Sequence, residues 1–165
     1  MVAIGHTAVG VLAGFAAYQI FGQGDLAAGL VVAGGVGIVS HYITDFIPHG
    51  HFVKPKKLKP VLPLIIVFDL FLPIFLLLLW MFLKDGLSVK LFYVLAGIIG
   101  SQLPDALDGL IFINLIKFKG FAKAEYDFHQ GLHWHGKDEK TLLLGFYDLW
   151  QILTILIALF LLITK

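Results

Sequence analysis

The sequence predicts an all-α membrane protein, a polytopic helical bundle with about five transmembrane helices. Of its 165 residues, 59% are hydrophobic and only 14% are charged, whereas a soluble domain typically carries about 25% charged residues. The mean hydropathy is +0.91. Because no shift in composition divides the chain, we expect one integral membrane domain over residues 1–165.

Five segments are apolar and long enough to cross the hydrocarbon core, which takes about 20 helical residues. The predicted spans run roughly over 2–21, 26–47, 61–83, 87–116 and 142–164. The second span is dense in glycine and alanine, which permits close helix contact, and it should end at or just before Pro48. Polar loops are predicted at 48–60 and 117–141.

The positions of the lysines predict the orientation in the membrane. With five spans, the N-terminus and both polar loops lie on one side, which carries most of the lysines. The positive-inside rule places that side in the cytoplasm and the C-terminus outside. The net charge of +1 says nothing about a nucleic-acid partner, and we expect none. The absence of cysteine excludes disulfides and thiolate chemistry, and the oligomeric state stays open.

Two similar stretches mark the second and fourth spans. GIVSHYITD covers residues 37–45 and GIIGSQLPD covers residues 97–105, which predicts a pseudo-repeat of helices two and four. His41 precedes Asp45 by four positions, and Asp108 follows Asp105 by three. Since positions three or four apart lie on one face of a helix, each copy presents two potential metal ligands together.

Other ionisable residues fall on the same predicted side of the membrane. A charged side chain in the hydrocarbon region costs at least about 2.5–3.5 kcal/mol, so such residues are candidates for function. Within the third span Asp69 lies near the lysine-rich side. The candidate metal ligands are His6, His41, Asp45, Asp105, Asp108, His129 and His133.

This set of residues predicts a divalent metal site. Imidazole and carboxylate together suit zinc and also manganese, while carboxylates alone favour magnesium. We therefore expect zinc first, with manganese or magnesium as alternatives, and the ligand set is large enough for two ions. Two ions about 3.5–4 Å apart bind the attacking and leaving oxygens of a phosphoryl displacement. Asp69 is then the candidate catalytic group, as a base or by orienting the water.

Each residue also has a simpler explanation. Asp45 or Asp108 alone would cap a helix end, and His6 alone would be an interfacial histidine. The pair at 129 and 133 has the spacing of an exposed amphipathic helix. The coincidence of the whole set on one side of the membrane favours a metal site.

Three short motifs carry a resemblance to a known family: Gly5-His6-Thr7, Leu103-Pro104-Asp105 and His129-Gln130-Gly131-Leu132. With these, the chain resembles the small prokaryotic membrane-bound predicted metal-dependent hydrolases, which include a LexA-regulated inner-membrane protein. It is more distantly similar to zinc-dependent phospholipase C. The resemblance implies a multi-helix membrane protein with His and Asp metal ligands and hydrolytic activity.

The chain departs from the family pattern at two places. The second aspartate of the family follows the first by two positions, whereas Asp108 follows Asp105 by three. The late family motif reads His-Arg-Gly-x-Thr-His-Ser, so His133 and His135 are alternatives for its second histidine.

These observations predict a membrane-embedded hydrolase that acts on a phosphoester or pyrophosphate of a lipid or lipid-linked substrate. The loop lysines would attract the anionic headgroup. The alternative is a proton- or metal-coupled transporter that uses the same His/Asp cluster, since transporters often contain internal repeats that meet at a binding site. Both interpretations place the chain in a lipid bilayer.

Overall fold

The computed structural model describes residues 3–47, 71–112, 115–132 and 149–164. Every regular element in these ranges is an α-helix, which confirms the all-α prediction for the described part of the chain. In chain order the helices are α1 (Ala3–Phe21), α2 (Leu26–Phe46), α3 (Leu72–Asp85), α4 (Val89–Phe112), α5 (Phe121–Leu132) and α6 (Leu149–Thr164).

Three of these helices, α1, α2 and α4, are long and apolar enough to cross a membrane. The shorter α6 is apolar over its 16 residues, and α3 has 14. The start of the third predicted span, 61–70, and the start of the fifth, 142–148, lie outside the described residues. The prediction of an integral membrane protein therefore agrees with the helices, while the number of five spans stays a prediction.

One of the two polar connections predicted as loops contains a helix. The connection expected over 117–141 contains the helix α5, and the connection over 48–60 lies outside the described residues. In the fourth predicted span, helix α4 ends at Phe112 rather than at position 116. Along α5, apolar and charged residues recur at helical spacing, which is the pattern of a helix that lies on a surface.

A tight turn joins α1 to α2. Gly22 has a φ of 55° and donates its backbone N–H to the carbonyl of Tyr18, a conformation that glycine adopts without strain. Asp25 then caps α2 by accepting a 3.0 Å hydrogen bond from the N–H of Ala28. The short connection makes α1 and α2 antiparallel neighbours.

Helix α4 packs between α1 and α2 through glycines. A Cβ at Gly97 would meet the carbonyl oxygen of Gly10, and a Cβ at Gly100 would meet the carbonyl oxygen of Gly34. Similar close contacts join Gly37 to the turn at Gly97. Because lipid supplies no hydrophobic force between helices, small residues that let the backbones approach are a main source of association in membranes.

The register of these contacts sets the helix directions. Along α4, residues near position 93 lie against Gly14 and Gly29, whereas residues near position 101 lie against Gly10 and Gly37. From the start of α4 to its end, its contacts therefore move toward lower residue numbers in α1 and toward higher residue numbers in α2. Helix α4 is antiparallel to α1 and parallel to α2, so the start of α1, the end of α2 and the late part of α4 meet at one end of the bundle.

Buried apolar side chains fill the middle of this three-helix unit. Tyr93, Val94 and Ile98 of α4 are fully or almost fully buried, and α6 packs on the outer side of α1. Large apolar residues also point outward; Val31 of α2 is 75% exposed and Ile99 of α4 is 56% exposed. A helix that is apolar on both its packed and its outer face suits contact with lipid.

The glycine contacts predict a sharp difference between two identical substitutions in α4. Gly97→Ala places a methyl group against the backbone of α1, so we expect it to lower the free energy of unfolding by about 1–3 kcal/mol. Gly109→Ala is the matched control, since among the described residues the added carbon meets no atom within 4 Å apart from the adjoining backbone of its own helix. It should be neutral or stabilise by up to about 1 kcal/mol. Thermal unfolding in detergent, followed by circular dichroism, measures both, and equal melting temperatures would contradict the packing described.

Candidate metal centre

Four helices bring ionisable side chains together at one end of the bundle. His6 comes from the start of α1, His41 and Asp45 from the end of α2, Asp105 from α4 and His129 from α5. The first two histidines, Asp45 and His129 are fully buried. The i,i+4 spacing on α2 sets two of these groups on one helical face, and the glycine packing of α1, α2 and α4 brings the others to it.

The carboxylate of Asp45 lies at the middle of three imidazoles. Its Oδ2 is 3.0 Å from His41 Nε2 and 2.8 Å from His129 Nε2. Its Oδ1 is 3.2 Å from His6 Nε2. The Nε2 atoms of His41 and His129 are themselves 3.0 Å apart. Three ring nitrogens and one carboxylate therefore converge in a volume from which the protein excludes solvent.

Asp105 closes this group from the α4 side. Its carboxylate oxygens are 3.8 Å from the Nε2 atoms of His6, His41 and His129. The side chain of Asp105 is 39% exposed, in contrast to the other four groups. The site is thus deeply buried on three sides and accessible along Asp105.

Hydrogen bonds on the outer side of two rings fix which nitrogen faces the centre. Nδ1 of His41 is 2.7 Å from the backbone carbonyl oxygen of Ser101, and a carbonyl can only accept, so Nδ1 carries the hydrogen. Thr44 donates its hydroxyl to the carbonyl of His41, which leaves the Thr44 oxygen to accept from Nδ1 of His6 at 3.4 Å. In the neutral imidazoles, Nε2 of both rings then presents a lone pair to the centre.

Converging lone pairs are stabilised by a positive charge, which a proton or a metal ion supplies. His41 Nε2 faces the electron-rich atoms Asp45 Oδ2 and His129 Nε2, and His6 Nε2 is buried without a hydrogen bond of good geometry among the described residues. The ring planes of His6 and His41 are stacked, with centroids 3.9 Å apart, a contact that disfavours charge on both rings. A cation at the centre satisfies all of these atoms at once.

The spacing of the ligand atoms matches the size of a metal ion. His41, Asp45, Asp105 and His129 each offer one ligand atom, and the four atoms lie within 4.8 Å of one another. The separations from the two ring nitrogens to each other and to the carboxylate oxygens run from 2.8 to 3.8 Å. Metal–ligand bonds of about 2.0–2.2 Å in a tetrahedron set its corners about 3.3 Å apart. This buried His/Asp group can hold a divalent metal ion.

Pro104 shapes the helical turn that faces His41. Proline has no N–H to donate, so the turn from Gly100 to Pro104 lacks one backbone hydrogen bond. The adjoining carbonyl of Ser101 is the group that accepts from His41. Ser101 lies two positions before the Leu-Pro-Asp motif. The motif therefore contributes the side chain of Asp105, and the turn just before it contributes the backbone partner of His41.

The charge of His129 is set by carboxylates on both sides of its ring. Burial lowers the pKa of this imidazole, but its hydrogen bonds to Asp108 and Asp45 act in the opposite direction and raise the pKa to about 10. Nδ1 lies 3.1 Å from Asp108 Oδ2, and Nε2 lies 2.8 Å from Asp45 Oδ2. The surroundings of His129 therefore favour a positive charge, which either a proton or a metal ion supplies.

The structure places most of the candidate ligands predicted from sequence. It brings together His6, His41, Asp45, Asp105 and His129, with Asp108 directly behind His129. The predicted ligand His133, its alternative His135 and the predicted catalytic Asp69 lie outside the described residues.

Several partners of the site were not predicted from sequence. Thr44 orients His6, and the carbonyl of Ser101 orients His41. Glu125 is buried beside His129 and accepts a 2.9 Å hydrogen bond from the hydroxyl of Tyr42. Glu125 precedes His129 by four positions, the same spacing that singled out the pair on α2, so this signal was available in the sequence.

Comparisons of the chain with protein-family models, with curated proteins and with solved structures find no match. The resemblance to membrane-bound metal-dependent hydrolases therefore stays a prediction carried by the motifs themselves. The geometry of the site is the observation from which its function has to be argued.

Removal of the central carboxylate should abolish metal binding. We expect Asp45→Asn to weaken zinc binding by more than about 100-fold, because changes to groups that merely orient a ligand already cost about 10–100-fold. Asp25→Asn on the same helix is the matched control, since asparagine caps a helix as well as aspartate does. Elemental analysis and calorimetric titration of the detergent-purified proteins give the metal content and affinity. Full zinc content in Asp45→Asn would refute the site.

The hydroxyl of Thr44 should raise the metal affinity of the same site by orienting His6. Thr44→Val preserves the shape of the side chain but removes the hydrogen-bond partner of His6, so zinc affinity should fall by about 10–100-fold. Thr154→Val is the control, because that hydroxyl donates to the carbonyl of Trp150 within α6. Calorimetric titration compares the two, and equal affinities would mean that His6 needs no orienting partner.

Proposed function

We propose that the protein is a membrane-embedded, metal-dependent hydrolase that acts on a phosphoester or pyrophosphate of a lipid or lipid-linked substrate. The observation that carries the proposal is the convergence of His6, His41 and His129 on two aspartates, with one of those aspartates exposed. A structural zinc site fills all four coordination positions with protein ligands, whereas a catalytic site keeps one for water or substrate. The partly exposed side at Asp105 would give water or substrate access to such a position. The resemblance in the sequence motifs points to the same class.

The chemistry of the ligand set favours zinc. Three imidazoles and carboxylates suit zinc better than magnesium, which takes mostly oxygen ligands. His41, Asp45 and His129 would hold the ion and leave one position for water. Asp105 would lie on the accessible side, 3.8 Å from both rings, and His6 would contact the second oxygens of the two aspartates. When bound, such an ion supplies a Lewis acid to a phosphoryl oxygen and activates water as the nucleophile.

The two aspartates of the site would then have different roles, because one is buried and the other is accessible. Asp45 is completely buried among the imidazoles and holds their orientation. Asp105 is the accessible carboxylate, so it lies where a phosphoryl group would enter and where the proton of the attacking water would be accepted. The predicted catalytic Asp69 lies outside the described residues. Asp105 is therefore the candidate general base among the described residues.

Exposed side chains near the site support a lipid-like substrate. Phe121 and Phe128 of α5, the helix that carries His129, are 79% and 55% exposed. Lys119 and Lys123 on or beside the same helix are exposed as well. Aromatic and lysine side chains together suit the boundary between lipid tails and anionic headgroups. A substrate anchored in the bilayer would present its phosphate at this depth.

The topology completes the proposal. Five spans, with the N-terminus and the metal centre on the cytoplasmic side of a prokaryotic membrane, agree with the lysine distribution and with the directions of α1, α2 and α4. The start of α1 and the ends of α2 and α4 would then face the cytoplasm. Labelling of introduced cysteines from either side of the membrane tests this orientation.

One observation favours a transporter as the second candidate. Positions sixty residues apart lie side by side: Gly37 contacts Gly97, and His41 bonds to Ser101. The two helices are parallel, as an internal repeat around a binding site would be. Against transport, the other end of the described helices holds a dense glycine-packed and apolar core around Tyr93 and Val94, which leaves no polar path from the site.

An assay on a lipid substrate separates the two functions. Purified protein in detergent should release phosphate from a lipid phosphoester or pyrophosphate, and a chelator should remove the activity. Asp105→Asn should lower turnover by about 100-fold or more, as loss of a general base does. Asp127→Asn, an exposed acid paired with Lys123, is the control and should keep full activity. Metal or proton flux into proteoliposomes, without phosphate release from any such lipid, would replace the hydrolase with the transporter.

A further inference from the structure

A second group of ligand atoms lies behind the ring of His129. Asp108 of α4 and Glu125 of α5 each offer a carboxylate oxygen, and these oxygens and a ring nitrogen of His129 lie within 4.8 Å of one another. Glu125 is only 8% exposed, so more than nine-tenths of it is removed from solvent. This group is distinct from the set around Asp45, although the imidazole of His129 adjoins both.

Each of the two carboxylates has one oxygen held by hydrogen bonds. The hydroxyl of Tyr42 donates to Glu125 Oε1 at 2.9 Å. The side-chain amide of Gln130 donates to Asp108 Oδ2 at 2.9 Å, and Nδ1 of His129 lies 3.1 Å from the same oxygen. Each carboxylate is therefore oriented by a donor at one of its two oxygens.

The other oxygen of each carboxylate accepts no hydrogen bond from the described residues. Glu125 Oε2 and Asp108 Oδ1 are buried and have no hydrogen-bond partner among the described residues. A buried carboxylate oxygen without a partner is strongly unfavourable, and charged groups in such places are normally paired or bind metals. Two such oxygens belong to the carboxylates of one cluster, and each carboxylate has its other oxygen held by a donor. A cation would complete this arrangement.

The charges near the site lead to the same conclusion. Four carboxylates, those of Asp45, Asp105, Asp108 and Glu125, lie around the histidines. In the described part of the chain, the ion pairs of Asp105 and Asp108 involve histidines and no lysine. One divalent ion at the histidine-rich centre would offset two of the four negative charges. A second divalent ion would offset the remaining two.

We propose that Asp108 and Glu125, next to His129, form a second cation site that takes an oxygen-preferring divalent ion, Mn²⁺ or Mg²⁺. Its ligands are mainly carboxylate oxygens, which suit these hard cations, whereas the imidazole-rich centre suits zinc. The site gives Asp108 a role separate from the zinc ligands and adds Glu125, which the sequence motifs do not include. The inference rests on the proposed metal centre through the charge balance, and it does not depend on hydrolysis.

Manganese binding tests the second site directly. The purified protein is loaded with one equivalent of zinc and titrated with Mn²⁺, whose free concentration is read from its electron paramagnetic resonance signal. We expect one further equivalent of Mn²⁺ to bind below about 1 mM, the weak end of protein sites for hard divalent ions. Zinc content measured before and after the titration shows whether manganese adds to zinc or displaces it.

Two variants and one control locate the bound manganese. Glu125→Gln keeps the shape of the side chain but removes its charge, so it should lose the Mn²⁺ equivalent and retain zinc. Tyr42→Phe removes only the donor to Glu125 Oε1, so Mn²⁺ affinity should fall by about 10-fold or more. Asp127→Asn, on the exposed side of the same helix, should bind both metals like the unaltered protein.

Three results would overturn the proposal. They are an unaltered, zinc-loaded protein that binds no Mn²⁺, a protein that takes up Mn²⁺ only by releasing zinc, and a Glu125→Gln variant that binds Mn²⁺ as tightly as the unaltered protein. If Glu125→Gln also loses zinc, Tyr42→Phe decides: weaker Mn²⁺ binding with full zinc content supports the site, and unchanged binding refutes it. Because none of these readouts is turnover, failure of the second site and failure of the proposed hydrolase remain distinguishable.

Discussion

The completely buried carboxylate of Asp45 is the interaction on which the functional end of this bundle depends. An uncompensated buried charge costs several kcal/mol, and three imidazoles on three different helices surround this one. Asp45 therefore ties α1, α2 and α5 together as much as it prepares a site. Since two of these imidazoles turn lone pairs toward it, the arrangement is most favourable with a positive charge in the middle.

Glycine packing makes that convergence possible. His6 and Asp105 reach the end of α2 only because the backbones of α1, α2 and α4 approach one another at Gly10, Gly97 and Gly37. Larger residues there would separate the helices by more than the tolerance of a metal site, in which distances have to agree within about 0.2 Å. In a membrane, where apolar side chains gain little by leaving lipid, this close packing both holds the bundle together and sets the precision of the site.

The two proposed cation positions differ in ligand chemistry and in accessibility. Around Asp45 the ligands are mostly nitrogens, and access is along Asp105. Behind His129 the ligands are mostly oxygens, with Tyr42 and Gln130 holding them in place. Under the proposed function, a lipid phosphate approaching past the exposed phenylalanines of α5 and the lysines on and beside this helix would meet the nitrogen-rich centre at its accessible side. The buried oxygen-rich position would then adjust the charge of the whole cluster.

The sequence alone determined the helical class, the apolar character of α1, α2 and α4, and the pairing of His41 with Asp45. Hydropathy and i,i+4 spacing are local properties of a chain. It also indicated that His6, Asp105 and His129 belong to one site, through their shared side of the membrane. The tertiary structure decided the rest. The carbonyl of Ser101, the hydroxyl of Thr44 and the carboxylate of Glu125 become partners of the histidines only through helix packing, since the contact distances depend on how closely the glycines let the helices approach. For the same reason, only the folded chain separates Asp108 from the ligands around Asp45: both aspartates of α4 share one helical face, and the position of α5 decides that Asp108 lies on the far side of His129.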